Sequence, residues 1–219
     1  MQNTDGSERP ATAPDRSLAV PDRLLSAASR LFADRGFERT SVQELVSAAG
    51  VTKGAMYHYF TSKDDLLYAI YQRVLTMQME RLNRFAGARG TPRERLYGAA
   101  ADVVHTTVDN LDDTRIFFRS LHMLSDDRQT AVRKERRQYH ERFRAIVEEG
   151  RRSGEFRADV PADIAVTQYF GAVHHLSTWY HGAGELTGAQ VGAYFADLLL
   201  SGLTPDEPGG ADPPGPAVQ

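Results

Sequence analysis

Residues 40 to 63, TSVQELVSAAGVTKGAMYHYFTSK, contain two apolar-patterned segments, each no longer than about two helical turns, separated by a glycine. This stretch constrains the fold more than any other. Val42, Leu45, Val46 and Ala49 recur at helical spacing behind Thr40, and Gln43 lies three residues after Thr40, the pattern of a capping box. Gly50 then ends the helix, because glycine takes the left-handed backbone of a sharp C-terminal turn without steric cost. Thr52 is placed to cap a second helix running through Lys53, Gly54, Ala55, Met56 and Tyr57. The two together predict a helix-turn-helix. On the second helix Met56, Tyr59 and Phe60 can serve as anchors, whereas Thr52, Lys53, Gly54, Tyr57 and His58 leave most of the surface polar or small. Such a helix is made to face a polar partner. The major groove of a duplex admits an α-helix, a small residue lets the backbone come close, and these side chains donate to phosphates and base edges. Ser62 with Asp65 starts a third helix and places Lys63 in its first turn, where a cation opposes the helix dipole and points to a nearby anion such as phosphate.

The net charge of −3 would argue against a polyanion if it were evenly spread. It is not. Residues 16 to 63 hold seven Arg and Lys against four Asp and Glu, net +3, which leaves −6 for the remainder. A basic head on an acidic body suits a chain that meets nucleic acid at one end. With 219 residues, 41% hydrophobic and 25% charged, the chain can bury an ordinary globular core. The absence of cysteine excludes disulfide frameworks, thiolate zinc sites and cysteine nucleophiles. No run approaches the ~18 apolar residues of a membrane span, and the first residues have no signal-peptide core. The expected location is cytoplasmic, with no membrane partner.

Periodicity predicts helices throughout and no strand, so the fold class is all-α with about nine helices. Residues 1–16 and 205–219 read as disordered tails by composition, 17–65 as a helix-turn-helix domain, and 66–204 as a larger helical domain. The helix capped by Ser62 continues for 20 or more residues. A capping box at Thr91 and Glu94 starts the next, and a shorter helix is expected from about Thr114 to Leu124. A long Arg-rich helix spans Asp126 to Arg152. Ile164 to Tyr180 contains no Asp, Glu, Lys or Arg, and in the last helix, capped by Thr187 and Gln190, Asp197 is the only charge between Val191 and Leu203. Two helices without a solvent face exceed what one small bundle can hide, which predicts self-association.

From about Pro21 to Leu67 the chain resembles the TetR family of transcriptional regulators: a first helix ending in FADRGFERTS, a short helix to AAGV, then TKGAMYHYF and SKDDLL. The resemblance implies a dimeric, ligand-responsive regulator, expected to be a repressor of a palindromic double-stranded operator, with no cofactor. It assigns phosphate contacts to Tyr57 and Lys63, and positions near the backbone or base edges to Thr40, Thr52, Lys53, Gly54 and His58; Ser41 and Gln43 complete the candidate set. It also implies a homodimer that pairs its last two long helices, with Phe170, Val173, Val191, Tyr194, Phe195, Leu198 and Leu199 as candidate interface residues.

A small molecule is expected between helices of the larger domain. The candidates are Phe117, Phe118, His122, Met123, Tyr139, Phe143, Tyr169, His175 and Trp179, aromatic and polar side chains that a core does not require. GEFRADV, HLSTWY and GELTGAQV within Gly154 to Leu203 are similar to TetR regulators that respond to acyl-coenzyme A thioesters. That likeness places the acyl part near Trp179 and Phe143, with Arg137, Arg142 or Arg144 meeting the nucleotide phosphates. Two other classes compete. A helical-bundle metal enzyme would draw on His174-His175 beside Asp102 and His105, yet adjacent helical residues point roughly 100° apart and no His-x-x-x-His pair exists, so no metal is assigned. Gly182-Ala-Gly184 has no preceding strand and reads as an interhelical turn rather than a phosphate loop. A protein-interaction module that binds no DNA would differ in showing no salt-dependent duplex binding.

Overall fold

The computed structural model describes residues 17–181 and 184–205. The expected tails, apart from Pro205, and the Gly182-Ala183 part of the last turn lie outside the described residues. The chain divides into two compact units, one ending at Ile70 and the other starting at Tyr71. Among the described residues every regular element is helical. These residues form ten α-helical elements, one of them, Leu176–Trp179, only a four-residue turn, which leaves nine longer helices.

The first unit contains α1 (Val20–Arg35), α2 (Val42–Ala49), α3 (Lys53–Tyr59) and the start of α4 (Lys63–Ala86). Its core is built from Leu24, Ala28, Leu31 and Phe32 of α1, Leu45 and Val46 of α2, Met56 of α3, and Leu66, Leu67 and Ile70 of α4. Gly50 ends α2 at φ 63°, ψ 40°, the left-handed turn its position requires. The capping box sits one residue later than the spacing of Thr40 and Gln43 predicts. Ser41 Oγ accepts from the Glu44 amide and Glu44 accepts from the Ser41 amide, while Thr40 is 1% exposed and its hydroxyl donates to the Gly36 carbonyl at 2.9 Å. Arg23 closes the other end of α2. Its guanidinium donates to Ala49 O (2.9 and 2.6 Å) and Gly50 O (2.5 Å), a cation on the orphan carbonyls of a helix C-terminus.

The second unit holds the rest of α4, α5 (Pro92–Asp109), α6 (Leu111–Arg119), a 3-10 turn (Leu121–Met123), α7 (Asp126–Ser153), α8 (Ala162–His174), α9 (Leu176–Trp179) and α10 (Gly188–Leu203). The capping boxes Thr91/Glu94 and Thr187/Gln190 form as the spacing predicts. Two boundaries differ. α6 starts at Leu111, because Thr114 is not a cap: its hydroxyl donates to the Thr107 carbonyl across the α5–α6 joint. α8 ends at His174, since the chain tightens there and the His175 amide reaches Ala172 O at 3.1 Å. α10 lies along α5 at very short range. A Cβ on Gly192 would fall 2.6 Å from the Ala101 carbonyl oxygen, and one on Gly188 would fall 2.8 Å from Val108 Cγ1. Across the core, Phe143 and Tyr169 stack at 5.2 Å and 10°, and the Tyr169 hydroxyl donates to Ala100 O at 2.6 Å.

Candidate DNA-binding face and effector cavity

Met56 is the fully buried residue of α3, and one anchor of this kind leaves the remaining faces free. Thr52, Lys53, Gly54, Tyr57 and His58 are all exposed, with Tyr57 at 51%. Tyr59 is exposed too and does not anchor the helix; it meets His58 edge-on at 4.8 Å. Thr52 Oγ1 accepts from the Ala55 amide at 3.1 Å, so its cap is made while the residue stays at the surface. Gln43 and Ser41 are exposed at and near the start of α2.

Two of the predicted contacts are turned to other work. Thr40 is buried, and its amide, hydroxyl and carbonyl all bond within the protein. Lys63 needs no outside anion to answer for its place in a helix first turn. Its ammonium donates to the carbonyls of Phe37 (2.7 Å) and Thr40 (3.0 Å) and lies 4.3 Å over the Phe37 ring. Burial lowers its pKa. Together they tie the α1–α2 loop to α4.

Gly54 has open space at its Cβ position, the nearest atom being Thr52 Oγ1 at 3.9 Å. Nothing in the fold requires glycine there, and glycine is poorer than alanine in a helix by roughly 0.5–1 kcal/mol. The open space is what the expected close approach of a partner requires. Gly54→Ala is expected to keep or slightly raise the thermal midpoint while weakening operator binding about tenfold, the ~1.4 kcal/mol cost of one displaced contact. Fluorescence anisotropy on a labelled operator reads this; undiminished affinity removes the close approach.

In the second unit a cavity of about 30 Å³ lies among the helices. That is room for about one water. Val74, Leu75 and Gln78 of α4, Val103 and Thr107 of α5, Thr114, Phe117 and Phe118 of α6, Arg136, Tyr139 and His140 of α7, and Phe170, Val173 and His174 of α8 form its wall. Of the predicted ligand residues, Phe117, Phe118 and Tyr139 are brought together here. Phe143 is fully buried in the core beside Tyr169, and Met123 is half-buried away from the wall. His122, His175 and Trp179 face outward, Trp179 at 48% exposure. His174 occupies the place expected of His175, because neighbours on a helix diverge by about 100°. For the same reason the pair cannot share an ion, and Asp102 is already held by Arg81 through two hydrogen bonds.

The most informative residues of this wall were missed by the sequence reading. Arg136 lies over the Phe117 and Phe118 rings at 5.2 and 5.7 Å. His140 stacks on Phe170 at 4.3 Å and 11°, and His174 packs against Phe118 at 4.3 Å. Burial, then the charge of Arg136, lowers the pKa of both imidazoles, that of His174 to about 4. Both are neutral at pH 7. The signal available in the sequence was the i, i+4 spacing of Arg136 and His140 on one face of α7. Of the arginines expected at a pocket mouth, Arg144 is engaged by Glu141, Glu148 and Asp163, and Arg142 donates to Asn83 Oδ1 at 3.1 Å. Arg137 is exposed and makes no such pairing among the described residues.

The predicted interface residues separate into two sets. Phe170, Val173 and Val191 are buried in the protomer's own core, since these helices pack inward by that face. Tyr194 and Leu198 stand out at 56% and 73% exposure. A groove of about 220 Å³ runs between α8 and α10, lined by Ala165, Gln168, Ala172, Phe195, Leu198, Leu199 and their neighbours. No described helix is long and apolar enough to cross a membrane.

A short polar helix presented by a helix-turn-helix, on a chain whose second unit holds an aromatic-walled cavity, defines a DNA-binding regulator with a ligand-sensing domain. Sequence models make the class specific. The one for bacterial regulatory proteins of the tetR family matches residues 24–70, and the one for the tetracyclin repressor-like C-terminal domain matches residues 89–203. The chain belongs to the TetR family of transcriptional regulators, and is a ligand-responsive, dimeric DNA-binding regulator. It is 26% identical over 201 residues to the HTH-type transcriptional repressor KstR2 of Mycolicibacterium smegmatis, covering 91% of this chain and 95% of that protein. Among solved structures, the TetR regulator PfmR of Thermus thermophilus matches with a TM-score of 0.77 at 28% identity, over 84% of this chain and 100% of that one. AibR, in complex with isovaleryl coenzyme A and operator DNA, shares the fold with a TM-score of 0.73 at 23% identity, over 85% of this chain and 99% of that one.

Proposed function

We propose that this regulator is a cytoplasmic repressor that holds a palindromic operator as a dimer and releases it when an acyl-CoA thioester opens the cavity. Its work is binding, not catalysis. The observation that carries the reading is the cavity itself, which has room for about one water yet is walled by aromatic rings, an arginine and two neutral histidines. Such a wall is more than a core needs, and a site too small for a ligand until it is enlarged supplies the two arrangements a switch requires. α4 runs without a break from Lys63 to Ala86, so a ligand pressing on Val74 to Gln78 acts on the helix that begins in the DNA-binding unit. KstR2 is a repressor, and the AibR structure holds a CoA thioester together with an operator. The first supports repression, the second the choice of effector.

On the DNA side, Lys53, Thr52 and His58 read base edges, Gly54 admits the backbone, and Tyr57, Ser41 and Gln43 hold phosphates. Thr40 and Lys63 keep the loop before α2 in place for them. Tyr194, Phe195, Leu198 and Leu199 meet their copies across a two-fold axis. A drug-like inducer enclosed by the pocket would need no arginine at its mouth. A screen of long-chain and ring-bearing acyl-CoAs against their free acids separates the two. Thioesters are expected to raise the thermal midpoint and release operator at concentrations at least about tenfold below the acids, the effect of one ~1.4 kcal/mol contact. Equal response to the acids, or none to any thioester, ends the acyl-CoA reading.

A further inference from the structure

Partly sheltered arginines of the second unit meet a carboxylate, on a neighbouring element as in Arg73 with Asp113, Arg81 with Asp102 and Arg95 with Glu149, or close by in sequence as in Arg115 with Asp112 and Arg151 with Glu148. Arg136 is the exception. Among the described residues its guanidinium pairs with no acid and makes no hydrogen bond; it meets the faces of Phe117 and Phe118 and interacts with Tyr71, whose hydroxyl already donates to the carbonyls of Ile116 and Phe117. Aromatic faces compensate a cation in part, and less than a carboxylate does. Asp113 on α6 and Glu135 on α7, the acids closest in sequence to the two rings and to the arginine, are occupied elsewhere. Asp113 is paired with Arg73, and Glu135 accepts from the Gln72 amide at 3.1 Å. The polar groups beside it on the wall are neutral: His140, His174 and Gln78, with the hydroxyls of Thr107 and Thr114 donating to the carbonyls of Val103 and Thr107. The cavity wall therefore carries one uncompensated positive charge, flanked by groups that can donate. A partly desolvated cation without a counter-ion is a standing cost to the fold unless something else supplies the anion.

We propose that the effector supplies it: the ligand carries an oxyanion, a carboxylate or a phosphate, which pairs with Arg136 while its apolar body spreads over Phe117, Phe118 and Phe170. The inference rests on this cavity being the effector site. A guanidinium fork matches either oxyanion by two parallel hydrogen bonds, and His140 or His174 can add a third from a neutral ring N–H.

The test compares the wild-type protein with Arg136→Met, which keeps the length of the side chain and removes the charge. Three probes share one apolar body: a ring-bearing acyl-CoA, its free acid, and the uncharged methyl ester of that acid. Operator affinity without effector is measured for both proteins, so that release is expressed relative to it. For the wild type, the anionic probes are expected to release operator and the ester is not; release by the thioester alone assigns the oxyanion to a phosphate, and equal release by the free acid assigns it to a carboxylate. R136M should require about 10- to 100-fold more effector, the loss expected for one charge-assisted contact. Its ligand-free thermal midpoint should hold or rise, because an unpaired charge has been removed. A merely structural arginine would do the reverse. The inference is overturned if R136M responds at the wild-type concentration, if the methyl ester acts as well as the anions, or if the ligand-free midpoint falls. These results leave the acyl-CoA reading standing when the wild type still prefers thioesters, whereas a wild type indifferent to all three probes removes both.

Discussion

Leu198→Glu is expected to yield folded monomers that no longer hold an operator. Leu198 is 73% exposed and sits on the rim of the groove between α8 and α10, so the protomer loses almost none of its own packing when it is replaced. In the proposed dimer the same position faces its symmetry copy, and the substitution buries two like charges in an apolar contact with no cation nearby. α10 offers nothing to neutralise them. Asp197 is its one charged residue between Val191 and Leu203. Separating the protomers separates two recognition helices that must meet successive major grooves about 34–36 Å apart. The second half-site then binds as an independent event, and operator affinity should fall about 10²- to 10⁴-fold, the usual gain from linking two sites. Sedimentation and circular dichroism together make the measurement. A tight dimer of the variant would refute this pairing of α8 and α10, and a monomer with wild-type operator affinity would refute the need for two heads.

Gly192→Val should destabilise the second unit more than any exposed substitution on the same helix. The missing Cβ lies 2.6 Å from the Ala101 carbonyl oxygen and 3.3 Å from its carbonyl carbon, so the obstacle is backbone and not a side chain that could swing away. α5 would have to move. Overpacking of this kind costs about 1–3 kcal/mol where the surroundings can yield, and more where they cannot. For a chain of this size each kcal/mol lowers the thermal midpoint by about 2–4 °C, so a fall on the order of 5 to 10 °C is expected. Gly192→Ala should show a smaller loss in the same direction. Unchanged midpoints for both would mean that α5 and α10 are not held at this distance in solution.

The helix-turn-helix was legible in the sequence because its determinants are local. Gly50 is needed where the backbone turns left-handed, Thr52 caps within three residues, and the polar surface of α3 follows from 3.6-residue periodicity, although of the three expected anchors Met56 is buried and Tyr59 is exposed. The same local logic located the capping boxes at Thr91 and Thr187. It missed by one residue at Thr40, where a contact to the end of α1 drew the hydroxyl inward and left Ser41 to cap. Lys63 and Arg23 were out of its reach altogether. Each donates to carbonyls more than 20 residues away, and nothing in helical spacing states which turn a long cation will find.

The larger unit shows the limit more plainly. Sequence alone established that α8 and α10 lack a charged face and that one copy of this chain cannot easily hide them. It could not say which apolar side faces home. Phe170, Val173 and Val191 read the same as Tyr194 and Leu198 on a hydrophobicity pattern, and only the packing of α5 and α7 buries the first set and exposes the second. The cavity follows the same rule. His174 lines it and His175 does not, because one step along a helix turns a side chain by about 100°. Arg136 is one of many arginines on α7 until its neighbours are placed. Whether a charge meets a carboxylate is a property of distance in space, which composition and periodicity do not encode and tertiary packing alone decides.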